Sequence, residues 1–205
     1  ARGSGCEFIG VCGKTAELAD LQDLLIYTLK GISQIVVHKR LDAKDLGQIN
    51  SEVLKSLFMT ITNANFDEEV IIDQIKKMIS MRNQLRGDFP EAALHDAACF
   101  EVGNDHEMRY KASYSGYKVH ENEDIRSLRQ LIIFGLKGLA AYTYHALQLG
   151  KEKPELYAFI YEGLAATLDE QLTIEDLLAL TMKTGQSGVE AMALLDEGNT
   201  TKYGN

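Results

Sequence analysis

The chain has 205 residues, enough for one large domain or two small ones, and 45% apolar content suffices to bury a core. A formal net charge of -9 argues against a nucleic-acid partner, whose phosphates require a cationic surface. Three cysteines, an odd number, exclude a fully paired secreted disulfide framework and point to a reducing, cytoplasmic compartment.

In chain order, the first informative stretch is Cys6 to Leu25, where two cysteines on a Gly-rich loop feed straight into a helix. Cys6 and Cys12 flank five residues, a gap wider than one knuckle of a zinc finger but compatible with half of an iron-sulfur site. From spacing alone, a free or disulfide-paired couple of surface cysteines is an equal reading. The first helix is predicted to begin at Thr15 as N-cap, with Leu18, Leu21, Leu25, Leu29, Ile32 and Val36 forming one apolar stripe. A second helix is predicted from about Ser51, burying Leu54, Leu57, Phe58 and Ile61. A third opens after Asp67, buries Ile71, Ile75, Met78 and Ile79, and ends in Arg82 and Arg86 before Gly87, with charges that oppose the helix dipole at both ends.

Residues 87–121 hold a short helix at Pro90 to Cys99 and then a polar, Tyr-rich segment without period. Cys99, in an A-A-C-F context, reads as a buried thiol. Tyr110, Tyr114, Tyr117, Tyr142 and Tyr144 read as packing groups ahead of an electron or substrate path. A helix starting at Asn122 contains the most apolar run, Leu131 to Leu149. Lys137, His145 and Gln148 interrupt it, so it falls short of a membrane span and no membrane partner is expected. Pro154 fits the first position of the next helix, with Leu156, Phe159, Ile160 and Leu164 inside. Thr173 with Asp176 resembles a capping box, and one long final helix is predicted to bury Leu178, Met182, Gly185, Val189 and Met192.

A repeat organises these elements. Shifting the chain by 107 residues sets Leu21 to His38 on Leu128 to His145 with seven of 18 positions identical. The predicted fold is therefore all-α: two tandem three-helix bundles related by an internal duplication. The boundaries are 1–14 for the cysteine loop, 15–86 for the first bundle, 87–121 for an irregular connection and 122–205 for the second bundle and exit segment. Gly31 and Gly138 recur inside their helices and predict close helix contact in both copies. His38 and His145 recur near helix ends, where dipole stabilisation explains them better than metal ligation.

The segments G-S-G-C-E-F-I-G-V-C-G-K-T and A-D-L-Q-D-L-L-I-Y resemble the amino-terminal segment of the hybrid cluster proteins, also called prismane proteins or hydroxylamine reductases. N-E-D-I-R-S-L-R-Q-L-I-I-F-G-L-K-G (122–138) and L-L-D-E-G-N-T-T-K-Y-G-N (194–205) resemble further segments of that family, in the same order.

The resemblance implies an amino-terminal site of four cysteines, a C-x2-C pair followed by a pair spaced like Cys6 and Cys12. These two are then expected to bind an iron-sulfur cluster, 4Fe-4S, as metal ligands, with the first pair missing from this chain. Two α/β domains are expected to follow and to hold a hybrid Fe-S-O cluster, so no catalytic residue is assigned here. The parent is expected to take electrons from a donor protein and reduce a small-molecule substrate, hydroxylamine, to ammonia, or to handle nitric oxide and nitrosative stress. The chain alone is expected to be inactive and to hold no intact cluster. Lys14 either softens the cluster's negative charge or faces solvent. A carbon monoxide dehydrogenase-like amino-terminal domain and a non-enzymatic helical interaction module are the competing readings.

Overall fold

Seven α-helices make up the regular structure of residues 9–116 and 122–204, the residues described by the computed structural model. They are α1 (Ala16–His38), α2 (Gly47–Met59), α3 (Glu68–Arg86), α4 (Asp105–Ala112), α5 (Glu123–Gln148), α6 (Pro154–Ala166) and α7 (Ile174–Tyr203). Among these residues the only β pairing is an isolated antiparallel bridge between Ile9 and Thr15. The chain is all-α, as its composition predicts.

Local chemistry sets most helix starts. The Thr15 hydroxyl accepts the Leu18 amide at 3.1 Å, satisfying one of the orphan donors of the first turn of α1. Asp67 does the same for Glu69 and Val70 at α3, and Asn122 for Asp124 and Ile125 at α5. Thr173 and Asp176 form a reciprocal capping box at α7, and Pro154 occupies the first turn of α6, where its missing N-H costs nothing. Helix α2 begins at Gly47, four residues before the predicted Ser51, because Leu46 offers no side-chain cap that could mark the start in sequence. The predicted helix from Pro90 to Cys99 is two separate 3-10 turns, Glu91–Ala93 and Asp96–Ala98. The polar segment beyond them contains α4, which shows little apolar period because only Met108 and Ala112 of its residues are buried.

The two lead helices organise the packing. Helix α1 lies against α3 and α6, whereas α5 lies against α7 and α2. Each lead helix thus packs on the third helix of its own half and the second helix of the other, and one continuous core runs through both halves. A buried side-chain bond ties the exchange together: the Tyr161 hydroxyl of α6 donates to Asn50 Oδ1 of α2 at 2.7 Å, while Asn50 Nδ2 donates to Ala43 O.

Two packing expectations are overturned. The stripe Leu178, Met182, Val189, Met192 faces outward, each residue about half exposed or more. The buried face of α7 is instead Leu177, Leu180, Thr184, Ser187 and Ala191. Small residues win the inner face because α5 approaches closely: a Cβ added to Gly135 would lie 2.5 Å from Thr184 Cγ2. The recurrent glycines also differ. At Gly31 an added Cβ would sit 2.0 Å from the Ala97 carbonyl oxygen, a contact with a turn backbone rather than with a helix. At Gly138 it would meet nothing within 4 Å among the described residues, so close contact holds in only one copy.

Candidate functional site

The cysteine loop closes immediately before α1. The Ile9–Thr15 bridge brings its two sides together, the Gly10 amide donates to Lys14 O at 2.8 Å, and the Gly13 amide donates to Gly10 O at 2.9 Å. Gly13 takes φ of +89°, a conformation that L side chains rarely adopt, so the turn after Cys12 requires glycine. Cys12 sits at the tip of this turn beside fully exposed Val11, half-buried, with its thiol in no disulfide. Its partner in the sequence reading, Cys6, lies outside the described residues. A half-buried thiol on a glycine-fixed turn fits one thiolate corner of an iron-sulfur site, and the soft sulfur donor suits iron.

Lys14 does not face solvent. It is buried, and Nζ donates to Gln22 Oε1 at 2.9 Å and to Ile61 O at 3.2 Å, with the Phe66 ring 5.7 Å away. A cation is therefore fixed two residues from Cys12, and the loop is anchored to the turn after α2. Lys137 Nζ donates to Thr60 O at 3.2 Å in the same region, and burial pushes its ammonium down to about 8.

The other residues singled out in the sequence fall elsewhere. His38 is exposed against Phe89, and His145 stands edge-on to Phe58 at 5.2 Å; neither joins a group of three potential metal ligands among the described residues. Cys99 is half-buried rather than enclosed. Tyr110, Tyr114 and Tyr142 are partly to mostly exposed and lie outside the buried core, and Tyr117 lies outside the described residues. Tyr144 packs against Phe58 at 6.0 Å.

Sequence reading missed the buried cations. Arg82, assigned to a helix end as a dipole-compensating charge, is fully buried. Its guanidinium donates to Ala97 O at 3.2 Å, to Phe100 O and to Asn83 Oδ1, and lies 4.5 Å over the Phe100 ring. It fastens the 95–101 segment to α3 at the same Ala97 carbonyl that Gly31 of α1 approaches. The available signal was its place on the apolar stripe, three residues after Ile79. No helix among the described residues is long and apolar enough to cross a membrane.

Residues 2–205 match the model of the Prismane/CO dehydrogenase family. The chain belongs to that family. It is 55% identical over 205 residues to the hydroxylamine reductase of Acetivibrio thermocellus, covering 100% of this chain and 38% of the relative. The hydroxylamine reductase of Desulfitobacterium hafniense DCB-2 is 45% identical over 215 residues, covering 100% of this chain and 38% of the relative. That of Desulfovibrio desulfuricans is 45% identical over 203 residues, covering 98% and 37%. The chain thus spans well under half the length of these curated relatives.

Proposed function

We propose that this chain is the amino-terminal helical domain of a hydroxylamine reductase-type hybrid cluster protein, and that Cys6 and Cys12 are two of the thiolates holding an electron-transfer iron-sulfur cluster. The observation that carries the reading is Cys12, presented on a glycine-fixed turn and clamped to the start of α1, in a chain 55% identical throughout to a hydroxylamine reductase. When bound, such a cluster stores one electron at a time at a potential set by charge, hydrogen bonds and exposure. The chain's part is structural and electrostatic: the Ile9–Thr15 bridge fixes the loop, and buried Lys14 places a positive charge beside it.

The parent reaction in this reading is NH2OH + 2e- + 2H+ giving NH3 and H2O, with electrons from a donor protein. The residues that bind hydroxylamine belong to polypeptide outside this chain, so the chain alone is predicted to be inactive. We also read the two halves as a duplication, each led by its L-K-G helix; the reciprocal packing of α1 on α6 and α5 on α2 supports this. Assaying ammonia formation from hydroxylamine with a strong one-electron donor tests the assignment. No turnover above a metal-free blank is expected from the chain alone and clear turnover from a full-length polypeptide containing it. Turnover by the isolated chain, or none by the metal-replete longer protein, would contradict it.

A further inference from the structure

Between α1, the start of α5 and the segment after α6 lies a cavity of about 220 Å³, well apart in sequence from the cysteine loop. Three cations line it: Lys30 from α1, and Arg126 and Arg129 from α5. His95, Ser115, Gln130, Thr167 and Glu170 are among the other polar residues of its wall. Lys30 makes no hydrogen bond or ion pair with any described residue. Arg129 donates one Nη2 bond to Asp169 O at 2.7 Å, but its buried Nε has no partner, the one such side-chain atom among the described residues. Buried donors of this kind are nearly always satisfied, and one left open beside a cavity signals a missing acceptor. The cavity is smaller than the roughly 300–1,000 Å³ typical of sites for drug-sized molecules, so the acceptor is small. Arginine's fork and lysine's point charge together suit the oxygens of a phosphate-like anion. Glu170 and Asp169 lie near Arg129 and Asp23 lies near Lys30, offsetting part of the positive field without supplying an acceptor to Arg129 Nε.

We propose that this cavity binds a tetrahedral oxyanion, inorganic phosphate or the phosphate group of a small metabolite, with Lys30 and Arg129 as its principal donors. Binding would bridge α1 and α5, which both line the cavity.

Isothermal titration of the chain with inorganic phosphate, at constant ionic strength, tests the site. The expected result is saturable one-to-one binding, weakened at least tenfold by Lys30→Met and by Arg129→Met. Lys183→Met is expected to bind as the original chain does, because that side chain pairs with Glu162 away from the cavity. Should a methionine variant fail to fold by circular dichroism, Arg129→Lys keeps the charge, loses the fork and is expected to weaken binding as well. Glycerol phosphate distinguishes the two sources: tighter binding assigns a phosphate ester, equal or weaker binding the free ion. The proposal is overturned by an absence of saturable heat, by variants that bind as tightly as the original, or by acetate displacing phosphate at equal concentration.

Discussion

Gly31 and Gly138 occupy equivalent places in the repeated L-K-G motif and have opposite surroundings. At Gly31 a methyl group would collide with the Ala97 backbone, which cannot yield as a flexible side chain can. Gly31→Ala is predicted to destabilise the chain by at least about 1–3 kcal/mol through overpacking. Gly138→Ala is predicted to stabilise it by up to about 1 kcal/mol, the helix-propensity gain with no clash to offset it. Urea denaturation of both variants checks the pair, and equal signs would contradict the packing described. Arg82→Met leaves the carbonyls of Ala97 and Phe100 without their donor, and a loss of about 1–3 kcal/mol for a buried unsatisfied group is expected. The lysines add a pH dependence. In the unfolded chain Lys30 and Lys137 hold their protons to about 10.5, in the folded chain only to about 8, because burial disfavours the charge. Between these values unfolding takes up protons, so stability is predicted to rise from pH 8 toward pH 10. Above about pH 10 the trend reverses, since burial raises the phenols of Tyr27, Tyr157 and Tyr161 and the unfolded chain loses those protons first. Thermal melts across this range should show the rise in the original chain and a flatter curve in Lys30→Met.

At the scale of elements, starts that carry their own chemistry were legible and faces chosen by neighbours were not. Thr15, Asp67, Asn122, Pro154 and Thr173 mark five helix starts because a cap or a proline is a local signal. The start of α2 carries none, and α4 buries too few residues to show a period. The inner face of α7 was misassigned because hydrophobicity favours Leu178 and Met182, whereas the close approach of Gly135 favours Thr184 and its small neighbours. That choice is testable by substitution. Thr184→Leu or Ala191→Leu is predicted to cost about 1–3 kcal/mol by overpacking. Met182→Lys and Val189→Lys, on the outer face, are predicted to stay within about 0.5 kcal/mol of the original chain. Denaturant midpoints decide between the faces, and a larger loss from the lysine substitutions would restore the original stripe to the core.

For the whole molecule, the exchange of α2 and α6 between halves means that neither half owns a complete core. The chain is therefore predicted to unfold in one cooperative transition, coincident by circular dichroism and tyrosine fluorescence, and residues 15–86 alone are predicted not to form the native bundle. Two separated transitions would show independent units. Of the candidate site, the glycine turn and Cys12 were readable from local sequence, but the inward course of Lys14 depends on Gln22 and Ile61, which no spacing rule brings to it. The central claim is that Cys6 and Cys12 are cluster ligands. Its most direct measurement is the iron and acid-labile sulfide content, with the visible absorption, of the chain extended upstream by a C-x2-C pair and reconstituted without oxygen. About four irons and four sulfides per chain are predicted, with most of that content lost on Cys12→Ser. No gain of iron on extension, or the same content after that substitution, would contradict the account.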